Sequence, residues 1–156
     1  MPGEAVFVGI ATIAVVVAGF AAIAPGLASG GSGWTAGQRF RLRGIVSTSF
    51  NVTFESLLPA VLFPALNDAR STLVLASAVV FGYALFVITF RARQLVKAGV
   101  RWVAWTRFVV GMGITATTLF GLNALVFASV TAYALALCIQ LSVAAISFYS
   151  LAASAE

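Results

Sequence analysis

The longest uncharged stretch of the chain, residues 108–155, limits the possible fold more than any other feature. Its 48 residues contain no Asp, Glu, Lys or Arg. A helix rises about 1.5 Å per residue and the hydrocarbon core of a bilayer is about 30 Å thick. The stretch is therefore too long for one spanning helix and suits two, which we place at about 108–127 and 131–152. A tight uncharged turn near 128–129 would join them.

Three further apolar runs lie upstream, at about 5–28, 44–66 and 71–90. Only 8% of the chain is charged and its mean hydropathy is +1.08, whereas soluble domains carry roughly 25% charged residues. The sequence therefore predicts an all-α integral membrane protein, with residues 1–156 forming a single domain of five transmembrane helices. The first run is too long, and too acidic at its start, for a secretory signal peptide. We expect it to be retained.

The distribution of charge predicts the orientation in the membrane. The connections after the first and third runs together carry eight basic residues and no acidic one, while the short turn at 67–70 carries one of each sign. Basic loops lie on the cytoplasmic side, so the N-terminus is expected outside and the C-terminus inside, in a bacterial inner membrane. This distribution also explains the net charge of +5 better than nucleic-acid binding does.

Basic residues recur every four positions after the third run, with apolar residues between them, over residues 91–107. This pattern predicts a basic amphipathic helix in the plane of the membrane surface, between spans 3 and 4. Anionic lipid headgroups are the expected partners of the basic and aromatic residues in both cytoplasmic connections. These residues are Arg39, Arg41, Arg43, Arg93, Lys97, Arg101, Trp102 and Trp105.

The second apolar run contains Glu55 at its middle, the only acidic residue inside a spanning stretch. A charge at that depth costs about 2.5–3.5 kcal/mol on insertion scales, so such residues usually face inward and find partners. Pro59 lies four residues on and lacks the N–H that would bond the Glu55 carbonyl. The carboxyl group and a freed backbone oxygen are thus expected at one depth. Pro59 and Pro64 are both expected to kink this helix.

Spacing places Thr48, Asn51 and Glu55 on one face of the second helix, at positions i, i+3 and i+7. A hydrated vestibule entering from the basic side has this polar pattern, and so does hydrogen bonding between helices of a bundle. Both interpretations stay open. Counting to the middle of each run places a polar residue of four helices at about the same level, namely Glu55, Tyr83, Thr117 or Thr118, and Gln140.

No Lys or Arg is expected at the depth of this polar layer. Glu55 is therefore expected to be neutral and hydrogen-bonded there, or charged only when a cation or a column of water is present. On the last helix Tyr133, Gln140 and Ser147 repeat every seven residues and share one face. Asn123, near the end of the fourth helix, is expected to cap or pack that end.

Several site classes are excluded by composition. The chain has no His, so it lacks an axial haem histidine, a histidine-based zinc site and a histidine-activated nucleophile. The single cysteine, Cys138, is expected to be a buried apolar residue. Residues 29–37 are rich in glycine but lack the Gly-Lys-Ser/Thr ending of a phosphate-binding loop, and are expected to form a linker. We expect no enzyme, no metal site and no cofactor.

Short motifs give one resemblance. The Leu-Leu-Pro run at 57–59, the Asn-Ala pair at 123–124 and the pattern over 133–148 resemble a loosely defined class of small polytopic bacterial inner-membrane proteins. The likeness covers spans 2 to 5. It implies residence in the inner membrane and implies no catalytic residue.

Two functional hypotheses follow. In the first, the protein is a homo-oligomer that conducts or relays cations or protons: Glu55 carries the ion, Thr48 and Asn51 line the approach, and Tyr83 and Gln140 complete the polar layer. Five helices leave little room for a conduit in one protomer, so a pore would form at a symmetry axis. In the second, the protein is a non-catalytic accessory or assembly subunit of a larger membrane complex, and the polar layer is a helix interface.

Overall fold

Five α-helices form the regular structure of the described part of the chain. The computed structural model describes residues 1, 3–27, 36–97 and 104–153. All five helices are long and apolar enough to cross a membrane, which confirms the prediction of an all-helical, multi-pass membrane protein. The helices are α1 (Glu4–Leu27), α2 (Ala36–Leu66), α3 (Ala69–Lys97), α4 (Ala104–Leu122) and α5 (Val130–Ala153). A π-helical turn, Asn123–Phe127, continues α4.

Three helices extend beyond the apolar runs that predicted them, and α4 does so by beginning at Ala104 rather than near residue 108. α2 begins at Ala36 rather than near residue 44, and α3 continues past residue 90 to Lys97. A helix makes its backbone hydrogen bonds in water as well as in lipid, and residues 91–97 are mostly strong helix formers. The start of the predicted interfacial helix is therefore the end of α3. Residues 98–103 lie outside the described part, so an in-plane helix there stays a prediction.

Helix α5 contacts each of the other four helices. α1 packs against α2 and α5, whereas α4 packs against α3 and α5. Helices α1 to α4 therefore lie in chain order around α5. The centre is Tyr133, which is fully buried and makes edge-to-face contacts with Phe7 of α1 and Phe120 of α4, at centroid distances of 5.4 and 5.1 Å. Such aromatic pairs add about 0.5–1.5 kcal/mol each beyond their burial.

The two ends of the bundle are packed by different helices. At the end with the basic connections, a buried cluster of Ala21, Ile45, Ala144 and Leu151 joins only α1, α2 and α5. At the opposite end α3 and α4 pack closely. A Cβ atom added to Gly121 of α4 would lie only 3.0 Å from the Phe81 ring of α3. Near the basic end, the described part of α3 thus adds nothing to the buried core.

The turn between α2 and α3 follows the prediction for residues 67–70. Asn67 has a φ of 51°, which reverses the chain, and Asp68 precedes the first residue of α3. The Asp68 Oδ2 atom accepts a hydrogen bond of 2.7 Å from the backbone N–H of Ser71. Asp68 is therefore the N-cap of α3, since it satisfies one of the N–H groups that the first helical turn leaves unpaired.

The turn between α4 and α5 depends on Asn123, which is fully buried. Its Oδ1 atom accepts a 2.8 Å hydrogen bond from the backbone N–H of Ser129, and its Nδ2 atom donates one of 2.8 Å to the Ser77 hydroxyl group of α3. Ala128, with a φ of 47°, makes the reversal. The predicted turn at 128–129 is confirmed, and Asn123 packs the end of α4 through these two side-chain hydrogen bonds.

The capping carboxylate makes stability depend on pH. Hydrogen bonds from the Ser71 side chain, and then from its backbone, hold the pKa of Asp68 below its ordinary value of 3.8. A lowered folded-state pKa stabilises the fold above the unfolded pKa, and this contribution is lost as the pH falls through the folded pKa. We expect Asp68→Ala to lower the unfolding temperature at neutral pH, and the difference from wild type to shrink below about pH 4.

The matched variant is Asp68→Asn, because Asn also caps helices but does not titrate. Near neutral pH, the unfolding temperature of Asp68→Asn should be closer to that of wild type than the unfolding temperature of Asp68→Ala is. Thermal unfolding followed by circular dichroism between pH 7 and pH 3 measures both. If the difference in unfolding temperature between wild type and Asp68→Ala did not change with pH, a capping role of the ionised carboxylate would be contradicted.

Replacement of Asn123 tests the second turn. Asn123→Leu keeps an amino acid of similar size but leaves the Ser129 N–H group and the Ser77 hydroxyl group without this partner. We expect the free energy of unfolding to fall by about 1–3 kcal/mol, the cost of a buried polar group left unpaired. Unfolding of the reconstituted protein by a denaturing detergent measures it. Ser77→Ala, which removes only one of the two bonds, should cost less; equal losses would contradict a double role for Asn123.

Candidate site around Glu55

The carboxyl group of Glu55 lies inside the bundle, near the middle of α2, with only 6% of the residue exposed. The side chain of Gln140, on α5, is hydrogen-bonded to this carboxyl group. The Oε2 atom of Glu55 has no hydrogen-bond partner among the described residues. The structure thus brings together two members of the polar layer and leaves one carboxyl oxygen unpaired.

The backbone carbonyl of Glu55 has a partner within the chain. The hydroxyl group of Tyr133 donates a hydrogen bond of 2.7 Å to it. Pro59, which is buried four residues later in α2, has no N–H to offer this oxygen. The freed oxygen that the sequence predicts is therefore satisfied from α5 and does not face a ligand.

Sequence reasoning placed Tyr133 and Gln140 on one face of α5 but did not pair Tyr133 with Glu55. A signal for this pair was present. A carbonyl freed by proline inside the bilayer must find a donor, because no water reaches it there. Tyr133 lies one heptad before Gln140, so both reach α2 from the same face of α5.

A second polar pair joins α2 to α3. The hydroxyl group of Tyr83 donates a hydrogen bond of 3.2 Å to the Oδ1 atom of Asn51. Asn51 lies one helical turn before Glu55, toward the basic end of α2. Tyr83 is 45% exposed, so this pair lies at the outer surface of the bundle rather than in its core. The predicted layer is therefore two separate pairs at different distances from the bundle axis.

A cleft of about 230 Å³ separates α2 from α3 beside these pairs. We call it the α2/α3 cleft. It opens on the outer side of the bundle, where 72% of Phe54 is exposed. Its lining residues are Asn51, Phe54, Glu55, Leu58, Val79, Val80 and Tyr83. The cleft thus places one carboxyl group and one phenol–amide pair among apolar side chains.

No basic side chain neutralises Glu55 among the described residues. Their one ion pair joins the N-terminal ammonium group to Glu4, at 3.0 Å. The arginines whose side chains the structure describes are all exposed: Arg39, Arg41, Arg43, Arg70, Arg93 and Arg107. No group of three or more Asp, Glu, Cys or His residues within the described ranges could hold a metal ion.

Other predicted site residues lie apart from Glu55. Thr117 and Thr118 donate to carbonyl groups of their own helix, those of Gly113 and Ile114. Thr48 is half-buried on α2 and is not among the residues that line the α2/α3 cleft.

The two prolines of α2 differ in their surroundings. Pro59 is buried and Pro64 is exposed, and α2 passes through both as one helix. The predicted kinks at these residues stay predictions. Cys138 is exposed on α5 rather than buried, because it lies on the face of α5 that no other described helix covers.

The predicted headgroup contacts are distributed around the basic end. Arg39, Arg41 and Arg43 lie in the first turns of α2, and Arg93 lies near the end of α3. The remaining four residues fall at or beyond the helix ends: Lys97 ends α3, Trp105 lies in the first turn of α4, and Arg101 and Trp102 lie outside the described residues. Contact of all eight with lipid stays a prediction.

Comparison with protein-family models, with curated proteins and with solved structures finds no match to this chain. The resemblance to small polytopic bacterial inner-membrane proteins therefore extends only to the five apolar helices that the structure shows. The geometry around Glu55 is what bears on function.

The Tyr133 hydroxyl group provides a test of this geometry. We expect Tyr133→Phe to lower the free energy of unfolding by about 0.6–2 kcal/mol, the range for interhelical hydrogen bonds in membranes, because the Glu55 carbonyl loses its donor while the aromatic contacts persist. Unfolding in mixed micelles measures this loss. Tyr149→Phe is the matched control, since Tyr149 is 75% exposed on the same helix. Equal stability of both variants would show that the bond contributes nothing.

Proposed function

We propose that this multi-pass membrane protein binds protons or cations at Glu55 and relays them across the membrane. One observation carries the proposal. A carboxyl group buried near the middle of a spanning helix has a hydrogen bond to Gln140 on one side, an unpaired oxygen on the other, and no basic partner among the described residues. Ionisable residues at such positions mark ion pathways and proton relays.

A purely structural role explains the carboxyl group less well. Packing of α2 against α5 is already provided by Tyr133, whose hydroxyl group bonds the Glu55 backbone and not its side chain. An amide or an apolar side chain at this position would pack without the cost of desolvating an acid. Glu55 instead adds a titratable group at the edge of the α2/α3 cleft, where a proton or cation can reach it.

Conduction through Glu55 would require more than one copy of the chain. The α2/α3 cleft opens on the outer surface of the bundle, so a second protomer on that face would enclose it. A homo-oligomer with the cleft at its symmetry axis would form a shared path. Thr48 and Asn51 would then line the cytoplasmic approach, with the N-terminus outside, the C-terminus inside and the basic ends of the helices at anionic lipid of a bacterial inner membrane.

An accessory or assembly subunit of a larger complex is the second candidate. The exposed aromatic rings at the mouth of the cleft, Phe54 and Tyr83, favour it, because a foreign helix could cover them. Purification in mild detergent separates the two candidates, since a symmetric homo-oligomer supports the first and stoichiometric foreign subunits support the second. In either case we propose no catalytic role, no cofactor and no nucleic-acid partner.

Replacement of Glu55 tests the proposal. We expect Glu55→Gln to reduce proton or cation flux into liposomes to the level of protein-free vesicles, because the amide neither titrates nor carries charge. A pH-sensitive dye inside the vesicles measures the flux. Glu4→Gln is the matched control, since it removes an exposed carboxyl group at the end of α1. Flux that is the same in wild type and Glu55→Gln would overturn the relay.

Infrared spectroscopy tests the titration itself. The pH-dependent carboxyl signal of wild type should contain a component that is absent in Glu55→Gln and shifted in Gln140→Leu, which lacks the hydrogen-bonding amide. Ser147→Ala, one heptad further along α5, should leave the band in place. An identical carboxyl signal in wild type and Glu55→Gln would show that Glu55 does not titrate.

A further inference from the structure

The walls of the α2/α3 cleft differ from those of an inorganic cation site. Among its lining residues, only the Glu55 carboxyl group, the Asn51 amide and the Tyr83 hydroxyl group carry side-chain oxygen atoms. The Asn51 Oδ1 atom already accepts a hydrogen bond from Tyr83. Hard cations such as Ca²⁺ and Mg²⁺ take about six or more oxygen ligands in proteins. The cleft offers too few for a dehydrated metal ion.

The same walls suit an organic cation. Phe54, Leu58, Val79 and Val80 present apolar or aromatic surface, and Glu55 supplies one buried negative charge when ionised. Aromatic faces attract organic cations, most strongly where water is excluded. No Lys or Arg lines the cleft, so nothing in its walls competes for the carboxylate. Charge complementarity therefore selects a monocation with apolar substituents.

Access to the cleft is lateral. Its mouth lies on the outer side of the bundle, between the exposed side chains of Phe54, Val79 and Tyr83. In a membrane this side faces acyl chains or another subunit, not the aqueous phase. A molecule that reaches Glu55 by this route must first dissolve in the bilayer. Apolar substituents are what allow a monocation to do so.

We propose that a small lipophilic organic cation, a quaternary or protonated amine, enters the α2/α3 cleft from the bilayer and displaces the proton of Glu55. A site of this kind rests on one part of the proposed function, the titrating carboxyl group of Glu55, and not on the enclosure of the cleft by a second protomer. The cleft volume of about 230 Å³ is below the roughly 300–1,000 Å³ of pockets for drug-sized ligands. The occupant is therefore a compact cation, or the charged end of a longer one.

Exchange at the cleft conserves charge. The cation enters as the carboxyl proton leaves to the medium, so one positive charge replaces another and no covalent bond to carbon changes. The groups that face Glu55 from the neighbouring helices are Tyr83 of α3 and Tyr133 and Gln140 of α5. None of them is basic. Proton and cation thus compete for the single carboxyl group, and the apparent affinity for the cation must rise with pH.

The test uses benzyltrimethylammonium, whose charge is fixed, with the full-length protein in phosphatidylcholine nanodiscs. Titration calorimetry should show saturable binding that strengthens as the pH is raised. A weakly buffered sample should acidify on addition of the cation, because each bound cation releases a proton. Neopentylbenzene, the neutral molecule of the same shape, should bind much more weakly. Equal binding of the neutral molecule would mean that the cleft takes lipid-like occupants, and would overturn the inference.

Three variants connect binding to the cleft. Glu55→Gln should abolish both binding and proton release. Val79→Phe, which fills the mouth while it keeps the carboxyl group, should abolish binding but retain the pH-dependent carboxyl band, and this band also shows that the variant is folded. Glu4→Gln should bind as wild type does. Binding that persists in Glu55→Gln or in Val79→Phe would place the cation elsewhere and refute the site.

These experiments distinguish a failure of the lipophilic-cation site from a failure of the proposed proton or cation relay. Absence of cation binding together with a titrating Glu55 and an intact proton flux overturns the lipophilic-cation site alone. A Glu55 that does not titrate, with flux unchanged in Glu55→Gln, overturns the proposed function as well. A stable complex in which a second copy of the chain covers the cleft and no cation binds would show that the neighbouring protomer, not a cation, occupies this surface.

Discussion

The hydrogen bond from the Tyr133 hydroxyl group to the Glu55 carbonyl is the interaction on which the rest of the structure depends. The bond is 2.7 Å long and buried, and the Tyr133 ring packs edge-to-face against Phe7 and Phe120. One side chain therefore connects α5 to α1, α2 and α4 at the centre of the bundle. An unpaired carbonyl group inside a bilayer would cost several kcal/mol, and Pro59 leaves this carbonyl without the N–H donor of its own helix.

This bond also determines what the Glu55 side chain is free to do. Because the backbone oxygen is satisfied by Tyr133, the carboxyl group has only its hydrogen bond to Gln140, and its second oxygen stays unpaired among the described residues. The carboxyl group then lies between a packed interface on the α5 side and an open cleft on the α3 side. A titratable group in that position can change its proton or its counter-ion without loss of the contacts that keep α2 and α5 together.

The apolar surroundings explain why so few polar groups join the helices. Many hydroxyl groups of the spanning helices bond a carbonyl four residues earlier in their own helix, as those of Thr53, Ser56 and Thr117 do. They are satisfied locally and take no part in packing or in a site. Hydrogen bonds between helices include those of Tyr133 with Glu55, Gln140 with Glu55, Tyr83 with Asn51, and Asn123 with Ser77. Mid-membrane polarity alone therefore does not identify a functional residue.

The sequence by itself determined the five spans, the two short turns and the place of Glu55 along its helix, because these follow from apolar length, helical rise and local turn chemistry. It also placed Gln140 at the right level. Only the tertiary structure decided that Tyr133 supplies the missing donor, that Thr117 and Thr118 stay with their own helix, and that Tyr83 pairs with Asn51 at the surface. These outcomes depend on how the helices are rotated about their axes and which ones are neighbours, and a hydropathy pattern with apolar residues on every face carries no information about either.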